Sequence, residues 1–234
     1  MSKKRRQSAA KRASKKSFGR TAPVPKPPPA RKTIAPAERL DLYHKHKNEY
    51  LASAMPSFVR CGPASYLALD GNGKPGAPEF AKGIGALYSV AFGVKMASKA
   101  AGKNYVVTKV EALWWREDDA DTPTKDTVWN WQLLMRVPTF ITMTDITAAA
   151  EGVVARGGPV DVRQVQLIEL HEETCVQILH VGPYAEENTS IAKMRAFAER
   201  AGRMFTGKHH EIYLADPSRV KDDKLRTILR QPVG

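Results

Sequence analysis

Two carboxylates stand where carboxylates are costly. Glu111 lies in KVEALWW and Glu211 in HHEIYLA, each inside an apolar, strand-like run. Burying such a group is expensive unless it has a partner or a task. In an apolar cleft its pKa rises, which suits a general base that holds and deprotonates water. The competing reading is a strand-end ion pair with Lys109, Lys208 or an arginine. All four tryptophans, Trp114, Trp115, Trp129 and Trp131, cluster beside Glu111, and Tyr88, Tyr184 and Tyr213 fall nearby in a duplicated frame described below. Aromatic walls of this kind stack planar ligands and exclude water, so the expected partner is a flat, hydrophobic aromatic small molecule. Trp114 and Trp115 are adjacent on a strand and must point to opposite faces, so one of them packs in the core.

Other chemistries find less support. Gly71, Gly73 and Gly76 in DGNGKPGAPEF match a dinucleotide-loop spacing, yet Pro75 and Pro78 interrupt the loop and no carboxylate follows at the ribose-binding distance before Glu111. The stretch from Asp70 to Pro78 reads instead as a turn leading into a helix. His209, His210 and Glu211 alternate across a strand and cannot chelate together, and HEETC at His171 lacks the second histidine of a metalloprotease. Cys61 and Cys175 are distant in sequence and form no CxxC pair, which leaves two ordinary thiols and no positioned base for a thiol mechanism. Neither a metal nor a cofactor is expected.

The elements that must position these residues follow from periodicity. PAERLDLYHKHKNEYL, residues 36–51, reads as a short amphipathic helix, and SYLALD, residues 65–70, as a strand. Phe80, Ile84, Leu87, Ala91, Val94 and Ser98 recur at steps of three and four, forming one stripe of a long helix that begins near Pro78 and ends before Gly102. Two aromatic strands follow, YVVTKVEALWW (105–115) and TVWNWQLLMRVP (127–138), around the acidic turn REDDADTPTKD. Thr142 and Asp145 form a capping box for a connecting helix that stops at Gly157 and Gly158. Then the order repeats: VRQVQLIEL and CVQILHVG as strands, TSIAKMRAFAERAG as a helix with Ile191, Met194, Ala198 and Ala201 on one face, and HEIYLAD and LRTILRQP as strands.

Lining up the two passes matches Gly71 with Gly182, Glu111 with Glu211, and LMRVP at 134–138 with ILRQP at 228–232. This is an internal duplication of a βαββ unit. The expected fold is α+β, with a pseudo-twofold axis and a cleft between the halves. The organisation is a tail over 1–35 and one domain over 36–234, divided into an N-terminal helix or linker (36–55), a first βαββ unit (56–140), a connecting helix (141–158) and a second unit (159–234). The equivalence of Glu111 and Glu211 would set both near the axis.

Charge is distributed very unevenly. Lys3, Lys4, Arg5, Arg6, Lys11, Arg12, Lys15 and Lys16 lead twelve basic residues that precede the first acidic one, Glu38, and supply +12 of a net +13. The remaining 25 basic and 24 acidic side chains nearly cancel. The Pro- and Ala-rich tail lacks the apolar residues that offset ordering entropy and is expected to be disordered. Its clustered cations suit sequence-independent contact with nucleic acid, with a merely solubilising extension as the alternative. With no apolar stretch after the basic start and no membrane-spanning run, the expected setting is the bacterial cytoplasm, with the tail as a possible tether to the nucleoid.

YLALDGNGKPGAPEF, ALYSVAFGVKM, YVVTKVEALWW, CVQILHVGPY, GKHHEIYLADPSR and TILRQPV together resemble the GyrI-like small-molecule-binding family over about residues 40–234. The resemblance implies duplicated βαββ units around a ligand cleft, the fold of effector domains in multidrug-sensing transcription factors. The YSVAF and EALWW pattern is similar to a stand-alone subgroup associated with hydrolysis of cyclopropanoid genotoxins, which points to detoxification or self-resistance. Under that chemistry Glu211, then Glu111, would activate water, and Tyr88 or Tyr213 would donate to the developing oxyanion. The alternative is a non-catalytic binding or sensing module for hydrophobic or cationic aromatics. The basic tail is a departure from the family pattern.

Overall fold

The computed structural model describes residues 39–116 and 127–234. The basic tail, the start of the expected N-terminal helix and most of the acidic turn lie outside them.

Eight antiparallel strands form one sheet: β1 (Ser57–Cys61), β2 (Ala64–Asn72), β3 (Glu111–Arg116), β4 (Trp129–Arg136), β5 (Gln166–Leu170), β6 (Glu173–Val181), β7 (His209–Tyr213) and β8 (Arg226–Pro232). Their spatial order is β1-β6-β8-β7-β3-β4-β2-β5. Exchanging each first-half strand for its second-half counterpart gives the same order read from the opposite edge, so the duplication read from the sequence is realised as a pseudo-twofold sheet. The first strand of each half is traded across: β1 pairs with β6, and β5 with β2. β1 has no separate expectation in the sequence reading, because SFVRC is short and mostly exposed.

Helices α2 (Pro78–Ala100) and α4 (Glu187–Arg200), one from each half, lie on the same face of the sheet. The predicted stripe of α2 is the buried one. Leu87, Val90 and Val94 are fully enclosed over Leu67, Leu133 and Met135, and each such side chain contributes roughly 1.5–3 kcal/mol. Pro78 stands in the first turn, and Gly102 ends the helix with φ +79°. On α4, Met194 and Ala198 pack on Val176, Ile178 and Leu229, whereas Ala201 is exposed beyond the helix end. Helix α3 (Met143–Ala155) connects the halves and begins with the expected Thr142–Asp145 capping box.

The described part of the expected 36–51 helix, residues 39–51, is not one continuous helix. Only α1 (Leu42–Lys45) is helical, followed by a 3-10 turn over Lys47–Glu49. Tertiary bonds take the backbone instead. Leu40 bridges to Tyr105, its N–H reaching Asn104 O and its carbonyl accepting from Val106. The strand expected over 105–115 is confined to Glu111–Arg116. The carbonyls of Glu49 and Leu51 accept from Arg230 and Gln177.

Candidate functional site between the two helices

Where β3 meets β7, the two halves of the sheet join. The register sets Glu111 opposite Ile212, Ala112 opposite Glu211, Leu113 opposite His210 and Trp114 opposite His209. Residues facing one another across an antiparallel pair share a face. Glu211, Tyr213, Trp114, Trp129 and Trp131 therefore project to the helix side, and Glu111, His210 and Trp115 to the other.

On the helix side, Glu211 stands at the floor of the cleft between α2 and α4. Its Oε2 accepts from the Tyr213 hydroxyl at 2.7 Å, and that hydroxyl accepts from Trp114 Nε1 at 3.2 Å. Glu187, in the first turn of α4, brings a second carboxyl into hydrogen-bonding contact with Glu211. Burial raises both: Glu211 is pushed up to about 7, and Glu187, which also feels the Glu211 charge, up to about 9. No partner among the described residues reaches Glu187 Oε1, while a hydrogen bond from Thr227 to the same carboxyl group opposes part of its rise. His209 Nε2 lies 3.7 Å from Glu211 Oε1, and burial lowers that imidazole to about 4, leaving it neutral.

Aromatic side chains wall this floor. Phe80 from α2 stacks obliquely on Trp114 at 4.9 Å and meets Tyr213 edge-on at 6.3 Å. Tyr184 packs edge-on to Tyr213 at 5.9 Å while remaining 38% exposed, and half-buried Trp129 stands edge-on to Trp114. Trp131 lies deeper, under Phe80, because Gly71 and Gly83 lack the side chains that would collide with its ring; a Cβ on Gly71 would fall 2.1 Å from it. Tyr88 stacks on Phe92 on the flank of α2, its hydroxyl near the Val110 backbone. The phenol in contact with Glu211 is that of Tyr213.

Glu111 belongs to a different assembly. It accepts from Tyr50 at 3.0 Å and from His210 Nε2 at 3.0 Å. His210 Nδ1 binds Glu172, which also receives Arg230. Burial disfavours the imidazolium, but Glu172 and Glu111 on either side outweigh it and raise His210 to about 9. Arg136, the counterpart of Arg230, binds Glu49 at 2.6 Å. Glu111 thus anchors the N-terminal segment beneath the sheet, on the face away from the helices. Trp115, on that same face, lies under the Lys208 ammonium.

The sequence reading thus locates Glu211, Tyr213, Trp114, Trp129 and Tyr184 in one cleft. It missed Glu187 and Phe80. Phe80 stands at the end of a stripe read as core, and Glu187 falls two residues before the helix read over TSIAKMRAFAERAG, whereas α4 begins at Glu187 itself.

The chain matches the GyrI-like small molecule binding domain over residues 55–233. No curated protein matched it significantly. Among solved structures, an uncharacterized conserved protein from Listeria innocua is 34% identical with a TM-score of 0.77, covering 84% of this chain and 100% of its own. Two structures described as hydrolases from Listeria innocua are 33% identical over the same shares, with TM-scores of 0.73 and 0.76. Among the described residues, no helix is long and apolar enough to cross a membrane. The chain belongs to the GyrI-like small-molecule-binding family.

Proposed function

We propose that this protein hydrolyses a strained, planar aromatic electrophile in the cleft between α2 and α4, with Glu211 as the general base and cyclopropanoid alkylating genotoxins as the substrate class. The observation that carries this reading is the Glu211–Glu187 pair, two carboxyl groups raised by burial to about 7 and about 9 and set against Tyr213 and Trp114. The likeness to proteins described as hydrolases agrees with it.

The chemistry balances as an addition of water. Phe80, Trp114, Trp129 and Tyr184 sandwich the ring system and keep bulk solvent from it. The Glu211 carboxylate takes a proton from a water whose oxygen attacks the unhindered cyclopropane carbon. The carbon–carbon bond breaks, and its electron pair enters the conjugated dienone, giving a phenolate. Glu187, still protonated at neutral pH, is the acid available to that oxyanion; Tyr213 is occupied in orienting Glu211. Glu111 serves as a positioning residue for the N-terminal segment.

Mass spectrometry on a cyclopropadienone alkylating agent incubated with catalytic amounts of protein tests the proposal. Many equivalents of a product one water heavier, lost in Glu211→Gln, support it. Stoichiometric capture without turnover overturns hydrolysis in favour of a sequestering module. For residues 1–32, nucleic-acid contact through the clustered lysines and arginines is the matching proposal: deleting them abolishes salt-sensitive retention on DNA and leaves turnover intact.

A further inference from the structure

On the face of the sheet opposite the cleft, the fold joins two cysteines that the sequence keeps far apart. Cys61 ends β1 and Cys175 lies near the start of β6; both are buried, and their thiols are in hydrogen-bonding contact. Glu172, in the turn before β6, completes a triad. Both sulfurs and a carboxylate oxygen lie within 4.8 Å of one another. We infer that Cys61, Cys175 and Glu172 form a binding site for a thiophilic divalent cation, zinc in the first instance, that fastens β1 to β6 and to the turn preceding it.

Three observations favour a cation over a disulfide. The first is register. Cys61 stands opposite Glu173 and Cys175 opposite Val59, so the cysteines are diagonal neighbours. Diagonal pairs have α-carbons about 7–8 Å apart, beyond the usual disulfide span of about 4.4–6.8 Å. Two sulfurs bound at about 2.3 Å to one tetrahedral zinc need approach only to about 3.8 Å.

The second is ligand type and number. Two thiolates and a carboxylate are a zinc donor set, and three protein ligands leave a fourth position open. The third is the outer shell. His210 Nδ1 reaches both Glu172 oxygens at 3.0 Å and is itself held by Glu111, while Arg230 Nη1 reaches Glu172 Oε2 at 3.2 Å. These contacts orient the carboxylate before any ion arrives. Two thiolates, a carboxylate and a dication sum to one negative charge, which the buried Arg230 guanidinium balances.

Cobalt(II) titration of the reduced, full-length protein, read by absorption and by metal analysis after desalting, tests the site. Cys61 and Cys175 are the only cysteines of the chain, so a sulfur-to-cobalt charge-transfer band reports on them alone. The expected result is one equivalent retained with that band, displaced by zinc. Cys61→Ser and Cys175→Ser should each weaken binding by more than the roughly tenfold to hundredfold typical of losing an outer-shell partner. A wild-type protein that binds cobalt without the charge-transfer band, or retains no metal, overturns the proposal whether or not the variants fold.

Discussion

Glu111 and Glu211 occupy neighbouring strands at the middle of the sheet and point away from each other through it, one opposite Ile212 and the other opposite Ala112. A twofold axis perpendicular to the sheet carries each residue to one on the same face. The two glutamates are therefore not symmetry mates. Their environments differ accordingly: Glu211 shares a buried aromatic cleft with Glu187, while Glu111 is bonded to a tyrosine and an imidazole.

The carboxyl pair sets the pH dependence. Turnover requires Glu211 ionised and, for proton return, Glu187 protonated. The rate should rise with pH through about 7 and fall through about 9, a bell in kcat/KM against pH. In Glu187→Gln the alkaline limb should vanish while the acidic limb remains. An unchanged profile in that variant would remove Glu187 from the chemistry.

The same shifts act on stability. Both folded-state pKa values lie above the ordinary carboxylate range, so the stabilisation from protonating these groups is full below about 4.5 and is lost as pH rises through about 7 and then about 9. The double variant Glu187→Gln/Glu211→Gln should melt higher than the parent at pH 9, by roughly 2–4 °C per kcal/mol recovered, and close to it at pH 4. Calorimetry at the two values checks the sign.

Tyr213→Phe removes the hydroxyl that donates to Glu211 and accepts from Trp114. With its donor gone, Glu211 should become a stronger proton holder, and the acidic limb should move to higher pH. Loss of kcat on the order of tenfold with little change in KM is the expected outcome for a positioning residue. A change confined to KM would make Tyr213 a wall of the binding site only.

Gly71→Ala sets a methyl 2.1 Å from the Trp131 ring, a ring with nowhere to move between Gly71 and Gly83. Overpacking of this kind costs roughly 1–3 kcal/mol, and chemical denaturation should show it. Gly76→Ala meets no neighbouring atom but sits at φ +81°, so its smaller penalty is backbone strain alone.

Arg136→Met leaves Glu49 with only the His46 contact at 3.5 Å and should loosen the N-terminal segment. Removing one member of a buried pair costs roughly 3–5 kcal/mol, and the partly exposed Glu49 sets the lower end. Proteolysis should then cut near residues 46–52 before it cuts the sheet. Equal protection in the variant would assign the segment's hold to Tyr50 and the Gln177 bond.

The sequence determined what is local. The stripe of α2, the Thr142 capping box, the glycine stops and the two passes of strand, helix, strand, strand are carried by periodicity and by neighbours within four residues, so they appear where expected. Alternation along a strand also separated Trp114 from Trp115 and His209 from His210 before any pairing was known. What only the tertiary structure decided depends on register and on which strands trade places. An alignment of two halves can match Glu111 with Glu211, but the face each one shows is fixed by the ladder between β3 and β7, and a shift of one residue reverses it. The helix interrupted within 39–51, the partnership of Glu187 with Glu211 and the meeting of Cys61 with Cys175 all arise from contacts between residues distant in the chain, where no periodicity carries a signal.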